Sequence, residues 1–371
     1  MMPSLRCNLK CKYCFERPVW SSAAAEIPAN LDAMVGVLKR VVGEYGRGGS
    51  ICLHGGEPLT LPIDELEYFF SEIRRLGCSP SIQTNGTLIT DEHIQLFRKY
   101  GVHVGLSVDG PPEIHDLRGG RREIVEKVNE NLLKMRGAGV SVGVLCVLHR
   151  GNATGENLDK LCEWVSWLHN LRVTGRFLIM RDFFDTSNEY ELTPEELARA
   201  WEKLYLTLRK YNAEQGWSPF RDFILSLSGR RNEAVCWMNE CDPFCTKACH
   251  VILPDGSETI CDRAFHMGLL LRPAGELLIR QEILAATDCG GCRWFRDYCV
   301  GGCPLDGEGG DWRNKSKWCP AIMHMFELIS KDYPPVKPAQ QAQPQVCRPI
   351  AGGHADIPHG DFSNHMDSWA R

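Results

Sequence analysis

The sequence predicts an α/β protein, a parallel sheet wound with helices and followed by a smaller cysteine-rich unit. Three observations predict it. Short β-rich runs alternate with amphipathic helical runs at short loop lengths up to residue 180, the pattern of a parallel sheet with right-handed crossovers. Three cysteines, Cys7, Cys11 and Cys14, share one loop near the start. Ten of the 18 cysteines fall from Cys236 to Cys319. A chain of 371 residues is long enough for one large domain and a smaller one.

Residues 1–6 leave room for only the stub of a first strand, which leaves a start further upstream open. Leu31–Tyr45 reads as a helix, with Met34, Val35, Val37, Leu38, Val41 and Val42 at helical spacing and Asn30 placed to cap it. Ser50–Leu53 is a short strand leading into His54-Gly55-Gly56-Glu57-Pro58. Ile63–Leu76 is helical, Ser79–Gln83 a strand, and Asp91–Lys99 a helix. Val102–Val108 is a strand ending at Asp109-Gly110, and Glu123–Met135 is a helix. Val140–Leu148 is a buried strand, Leu158–Leu168 a helix, and Leu171–Met180 the sixth strand. Residues 187–231 read as a helical connector, where Thr193-Pro194 supplies a cap and a first-turn proline. From about Asp332 the composition becomes Pro- and Gln-rich, as in a linker, and the last residues read as a disordered tail. His354, Asp356, His359, Asp361, His365 and Asp367 recur there; a tethered peptide or metal-binding tail is the rival reading. No internal repeat is visible.

A net charge of -5 gives no nucleic-acid footprint, and no apolar run approaches a membrane span. The N-terminus runs into the cysteine loop without a signal peptide. A cytoplasmic location follows as the expectation, with the cysteines read as metal ligands rather than disulfides. Cys52, Cys78, Cys146 and Cys162 have apolar neighbours and read as core.

Three thiolates can hold three irons of a [4Fe-4S] cube, leaving the fourth iron open to a small molecule that brings its own amine and carboxylate. Zinc would want a fourth Cys or His close by, and the nearest histidine is His54. The spacing C-x3-C-x2-C, with an aromatic residue before the last cysteine, resembles the signature of the radical S-adenosylmethionine (SAM) superfamily. That resemblance implies a TIM-like partial (β/α)6 barrel, with chemistry at the C-terminal strand ends. It also implies that Gly55-Gly56-Glu57 meets the methionine amine of SAM, with glycines allowing close approach. Gln83-Thr84-Asn85-Gly86-Thr87 and Ser107-Val108-Asp109-Gly110 resemble segments of the peptide-modifying branch. By that resemblance Asn85 lies in the SAM pocket, Ser107 touches the ribose and Arg118 is the choice for the SAM carboxylate. The rival reading of both blocks is ordinary strand-end turns. His115 and Asp116 read equally as surface or functional residues.

The second cysteine field runs Cys245-x10-Gly256-x4-Cys261, then Cys289-x2-Cys292-x6-Cys299-x3-Cys303, then Cys319. It resembles the SPASM domain, the iron–sulfur extension of peptide-maturing radical SAM enzymes, with x6 where the family has x5. The resemblance implies two auxiliary [4Fe-4S] clusters, three in all. Cys245, Cys261 and Cys303 hold one; Cys289, Cys292, Cys299 and Cys319 hold the other. The eighth ligand is open, with Cys241 preferred over Cys249 and Cys236. A pair of zinc ribbons is the rival reading. Asp262 follows Cys261, as an Asp follows the matching cysteine in anaerobic sulfatase-maturating enzymes, where it is the base; a turn-capping role is equally open. His250 and His266 read as structural. The domain partition expected is a barrel over 1–185, a connector over 186–235, a SPASM domain over 236–331 and a linker and tail over 332–371.

The resemblance implies an enzyme. It would cleave SAM reductively to a 5′-deoxyadenosyl radical and oxidise side chains of a ribosomally made peptide, with a crosslink as the expected product. Formylglycine formation in a sulfatase, peptide epimerisation and a non-catalytic iron–sulfur carrier are the alternatives. The partners implied are the peptide substrate, a flavodoxin- or ferredoxin-type electron donor and a separate leader-peptide-recognition protein.

Overall fold

The computed structural model describes residues 1–16, 23–26, 28–114, 117–119, 122–181, 189–239, 250–259, 261, 263 and 276–337, with backbone alone at 23, 24 and 276–279. Cys241, Cys245, Cys249, Asp262, His115, Asp116, His266 and the His/Asp tail lie outside the described residues. Six strands form one sheet in sequential order: β1 Ser50–Leu53, β2 Ser79–Thr84, β3 His103–Ser107, β4 Ser141–Leu148, β5 Thr174–Ile179 and β6 Trp217–Ser218. Every neighbouring pair is parallel. Strand β4, Ser-Val-Gly-Val-Leu-Cys-Val-Leu, is buried along almost its whole length, as expected of a parallel strand covered on both faces.

Helix α1 Leu31–Tyr45 precedes β1, and the helices between strands are α2 Ile63–Arg75, α3 Asp91–Tyr100, α4 Arg122–Gly137, α5 Gly155–Asn170 and α6 Pro194–Arg209. Helix α1 buries Met34, Val35, Leu38 and Val42, and the Asn30 side chain accepts from the Ala33 N–H. Helix α6 starts as its sequence predicts, with Thr193 and Glu196 forming a reciprocal capping box around Pro194. Among the described residues no helix is long and apolar enough to cross a membrane.

The two ends of the sheet differ from the sequence expectation. The stub of residues 1–6 makes only an isolated parallel bridge, Ser4 to Gly55. The sixth hydrogen-bonded strand is instead Trp217–Ser218, inside the segment read as a helical connector. Two residues are too few for a period-2 pattern, so nothing in the local sequence announces a strand. Tertiary packing sets it: Trp217 is buried and stacks on Phe177 with ring centroids 4.7 Å apart. Cys78, Cys146 and Cys162 lie in the main core, whereas Cys52, on edge strand β1, is half-buried.

The cysteine-rich unit rests on this sheet through helices. Helix α7, Phe220–Leu227, and helix α9, Cys319–Ile329, meet where Phe223 and Phe326 pack edge to face at 4.8 Å. Between them in sequence lies α8, Glu276–Ala286. A small antiparallel ribbon, β7 Val251–Ile252 and β8 Glu258–Thr259, carries Cys261 just beyond its end. The ribbon lies against the first residues of the chain, where the Met2 N–H donates to the Ile252 carbonyl at 2.8 Å. Met2, Leu5, Val251 and Leu253 form a separate apolar cluster there. His250 bonds Glu258 across the ribbon, the structural role its sequence context suggests. Near the C-terminal end, Asp332 accepts from the Tyr205 hydroxyl at 2.6 Å, and the Val336 N–H donates to Leu227 at 2.7 Å.

Candidate functional site

The C-terminal ends of the parallel strands lead into the chemistry-bearing blocks, and the cysteine loop lies across them. Residues 4–6 run beside Gly55–Glu57: the Gly56 N–H donates to Ser4 at 2.9 Å and the Glu57 N–H to Arg6 at 2.6 Å. A Cβ on Gly56 would lie 2.1 Å from the Arg6 carbonyl oxygen, and one on Gly55, at φ +126°, 2.6 Å from that of Ser4. The two glycines are therefore required for the approach of the segment that delivers Cys7. Gly56→Ala is expected to push residues 4–6 away, destabilising the fold by about 1–3 kcal/mol and lowering iron uptake at the loop. Thermal unfolding and iron analysis of the same variant check this; a variant with unchanged stability and iron would contradict it.

Glu57 is buried and holds two strand ends together. Its Oε1 accepts from the Leu59 N–H at 3.0 Å and the Thr84 hydroxyl at 2.6 Å, and its Oε2 from the Asn85 N–H at 2.7 Å. Burial raises its proton affinity against the lowering effect of those donors. Asn85 in turn donates from Nδ2 to Asn8 Oδ1 at 2.8 Å, and Asn8 donates to Thr87 at 2.9 Å. The Gln83 side chain reaches Ser107 Oγ at 2.8 Å. Gly55, Gly56, Glu57, Asn85 and Ser107 are thus brought to one end of the sheet, where Glu57 and Asn85 also fasten the cysteine loop.

Arg118 lies on the other side of that loop. It pairs with the fully buried Asp109 at 3.3 Å, and its guanidinium sits 5.4 Å from the Tyr13 ring centroid. Burial opposes its charge, but Asp109, Tyr13 and Cys11 together more than reverse the effect. Asp109 also accepts from the Tyr13 hydroxyl and from the Val147 N–H at 2.9 Å. This network ties the aromatic residue between Cys11 and Cys14 to the ends of β3 and β4. Asp109 stands in a quoted block, yet nothing in the sequence indicates that it would face Tyr13.

Burial pushes the Cys7 thiol up to about 11 and the Cys11 thiol up to about 12. Cys7 also feels Glu57 and Cys14, and Cys11 feels Cys14 and Cys7, while Arg118 draws Cys11 down. Three sulfurs sharing one hollow beside a buried cation is a donor set suited to an iron–sulfur cube, whose ligands must be thiolates.

A second set forms in the cysteine-rich unit. Burial, then Cys299, Cys319 and Cys292, pushes the Cys289 thiol up to about 12; burial also raises Cys299, which feels Cys319 and Cys292, and Cys319, which feels Cys292. These four sulfurs are mutual neighbours, as four-cysteine cluster ligation requires. Among the described residues no three His, Cys, Asp or Glu groups converge on a single metal ion. The extra residue between Cys292 and Cys299 is taken up by a tight turn. Arg296 adopts φ 70°, its N–H bonds the Cys299 carbonyl at 2.8 Å, and Trp294 stacks on Phe326 at 5.2 Å.

Arg280, which the sequence reading does not select, organises the next ligand loop. It is buried in α8 and donates to the carbonyls of Val300, Gly301, Gly302, Trp312 and Asn314 at 2.8–3.3 Å. Those partners lie 20 or more residues away, so no local signal marks it. Cys303 stands at the end of that loop, and Cys261 stands beyond β8.

Residues 1–167 match the model of the radical SAM superfamily. A cysteine-type anaerobic sulfatase-maturating enzyme of Clostridium novyi (strain NT) is 26% identical, across 88% of this chain and 94% of its own. The solved structure of native anSMEcpe with bound AdoMet and Cp18Cys peptide superposes with a TM-score of 0.70 at 23% identity, covering 90% of this chain and 96% of that one. Streptococcus suis SuiB bound to precursor peptide SuiA superposes with a TM-score of 0.56 at 15% identity, over 86% and 74%. The two structures share the fold seen here, with its parallel sheet and cysteine-rich extension. A radical SAM domain over residues 1–167, a related maturase matched over nearly its full length and a shared fold together show an enzyme similar to the radical SAM maturases.

Proposed function

We propose that this enzyme oxidises a side chain of a peptide or protein substrate, converting cysteine or serine to formylglycine. The observation that carries the reading is the similarity to a cysteine-type sulfatase-maturating enzyme over 94% of that enzyme. The crosslink expected from the sequence is the second reading, favoured by the fold shared with peptide-bound SuiB.

In this reading Cys7, Cys11 and Cys14 hold the SAM-binding cube. Gly55, Gly56 and Glu57 would hold the methionine end, Asn85 and Ser107 the nucleoside, and Arg118, paired with Asp109, the SAM carboxylate. Cys289, Cys292, Cys299 and Cys319 hold one auxiliary cube. Cys261 and Cys303, with Cys245 and Cys241, hold the other. With these groups bound, SAM cleavage supplies a 5′-deoxyadenosyl radical and the auxiliary clusters supply a one-electron acceptor.

Conversion of a cysteine would require removal of one hydrogen atom from its β-carbon and of one further electron, chemistry that those groups would supply, and of the thiol proton, for which Asp262 is our choice of base. Hydrolysis of the carbon–sulfur double bond so formed would give the aldehyde and hydrogen sulfide. The partition into a barrel over 1–185, a connector over 186–235 and a cluster domain over 236–331 belongs to this proposal. So do a flavodoxin- or ferredoxin-type donor and a separate recognition protein.

Incubation with a cysteine-containing peptide, SAM and dithionite tests it, with product mass, hydrazide reactivity and a deoxyadenosine count on one sample. The expected product has lost sulfur, reacts with hydrazide and forms with one deoxyadenosine. Loss of two hydrogens without aldehyde reactivity would establish the crosslink instead. Unchanged mass with deuterium uptake from solvent would point to epimerisation and overturn both.

A further inference from the structure

The ion pair between Arg181 and Asp306 joins the mouth of the sheet to the cysteine-rich unit, and no role above uses it. Arg181 stands two residues beyond the end of β5. Its side chain is 9% exposed and that of Asp306 3%. The guanidinium donates from both Nε and Nη2 to the two carboxylate oxygens of Asp306, a two-point clamp that fixes its orientation. Asp306 closes a one-turn 3-10 helix, Pro304–Asp306, that begins directly after Cys303. Its N–H donates to the Cys303 carbonyl at 3.0 Å, and its own carbonyl accepts from Lys317 at 2.8 Å. The guanidinium therefore stands one short turn from Cys303. After Asp306, its electrostatic neighbours are the sulfurs of Cys303 and Cys236.

We propose that Arg181, clamped by Asp306, is a positioning residue that sets the reduction potential of the iron–sulfur cluster held at Cys303. The inference rests on the reading above that Cys303 is a cluster ligand. A cluster gains negative charge on reduction, so a nearby buried cation stabilises the reduced form and a nearby carboxylate opposes it. The pair is close to neutral as a unit but polar. Removing one member leaves the other's charge facing the cluster, and the two removals act with opposite sign.

The experiment is a potentiometric titration of the reconstituted full-length chain, followed by electron paramagnetic resonance. The signal absent from Cys303→Ala identifies the cluster to follow. Arg181→Gln is expected to lower its midpoint potential, Asp306→Asn to raise it, and Arg181→Lys to leave it near the native value. If Arg181→Gln loses the cluster, Asp306→Asn decides the matter: a raised potential supports the proposal, and a lowered or unchanged one overturns it. Shifts in the same direction, or no shift with iron content intact, overturn the proposal and leave Cys303 a ligand. Retention of every signal and all iron in Cys303→Ala overturns the underlying assignment, and the proposal falls with it.

Discussion

Replacing Cys7, Cys11 and Cys14 together by alanine is expected to abolish dithionite-dependent 5′-deoxyadenosine formation while leaving iron bound in the cysteine-rich unit. The loop brings three sulfurs into one hollow, and alanine offers an iron nothing in exchange. Cys289, Cys292, Cys299 and Cys319 have one another as neighbours and sit on a different part of the fold. The measurements are deoxyadenosine yield and iron and sulfide content, with about four irons lost per chain in the variant, the content of one cube. Undiminished deoxyadenosine would remove the loop from the chemistry. The native loop also carries a pH signature. Burial holds the metal-free Cys7 and Cys11 thiols protonated up to about 11 and 12, so cluster assembly must release protons and should quicken as pH rises. The metal-free fold behaves in the opposite sense. Its preference for neutral thiols is a stabilisation lost as pH climbs from the ordinary thiol range toward those values.

Arg280→Met is expected to cost about 3 kcal/mol or more, because several hydrogen bonds from a charged donor to buried carbonyls are lost at once, and to lower the iron content of the cysteine-rich unit. The guanidinium reaches five backbone carbonyls, three of them between Cys299 and Cys303. Methionine fills much of the volume but leaves those acceptors without their donor, and hydrogen bonds to a charged group are among the stronger ones. The Val300-Gly301-Gly302 loop would then lose the geometry that spaces its two flanking cysteines. Denaturant midpoints of the reconstituted chain, with iron counts, give the readout. Arg280→Lys should fall between, since an ammonium keeps the charge but reaches fewer carbonyls. A variant with native midpoint and iron content would show that the loop is held by other means.

The elements that the sequence marks clearly carry their signal within a few residues. The apolar spacing of Met34, Val35, Leu38 and Val42 and the Thr193-Pro194 start are local facts, and the structure agrees with them closely. Strand β6 carries no such signal, because its position comes from Trp217 stacking on Phe177. The site divides in the same way. Cys7, Cys11 and Cys14 are legible from spacing, as are Gly55 and Gly56 from their place after a predicted strand. That Glu57 would bind Asn85, that Asn85 would hold Asn8, or that Asp109 would face Tyr13 is not legible, because each partner lies 28 or more residues away in sequence.

The sequence by itself determined the α/β class, the helix caps and the two cysteine sets, because periodicity, capping and ligand spacing are short-range properties of the chain. Only the tertiary structure decided which charges meet. Asp109 with Tyr13, Arg181 with Asp306, and Arg280 with the Cys299–Cys303 loop are contacts between residues 20 or more apart in sequence. A buried ionic group is stable only when its partners are brought to it. That requirement leaves no mark in the local pattern and is met only when the parallel sheet and the cysteine-rich unit close on each other.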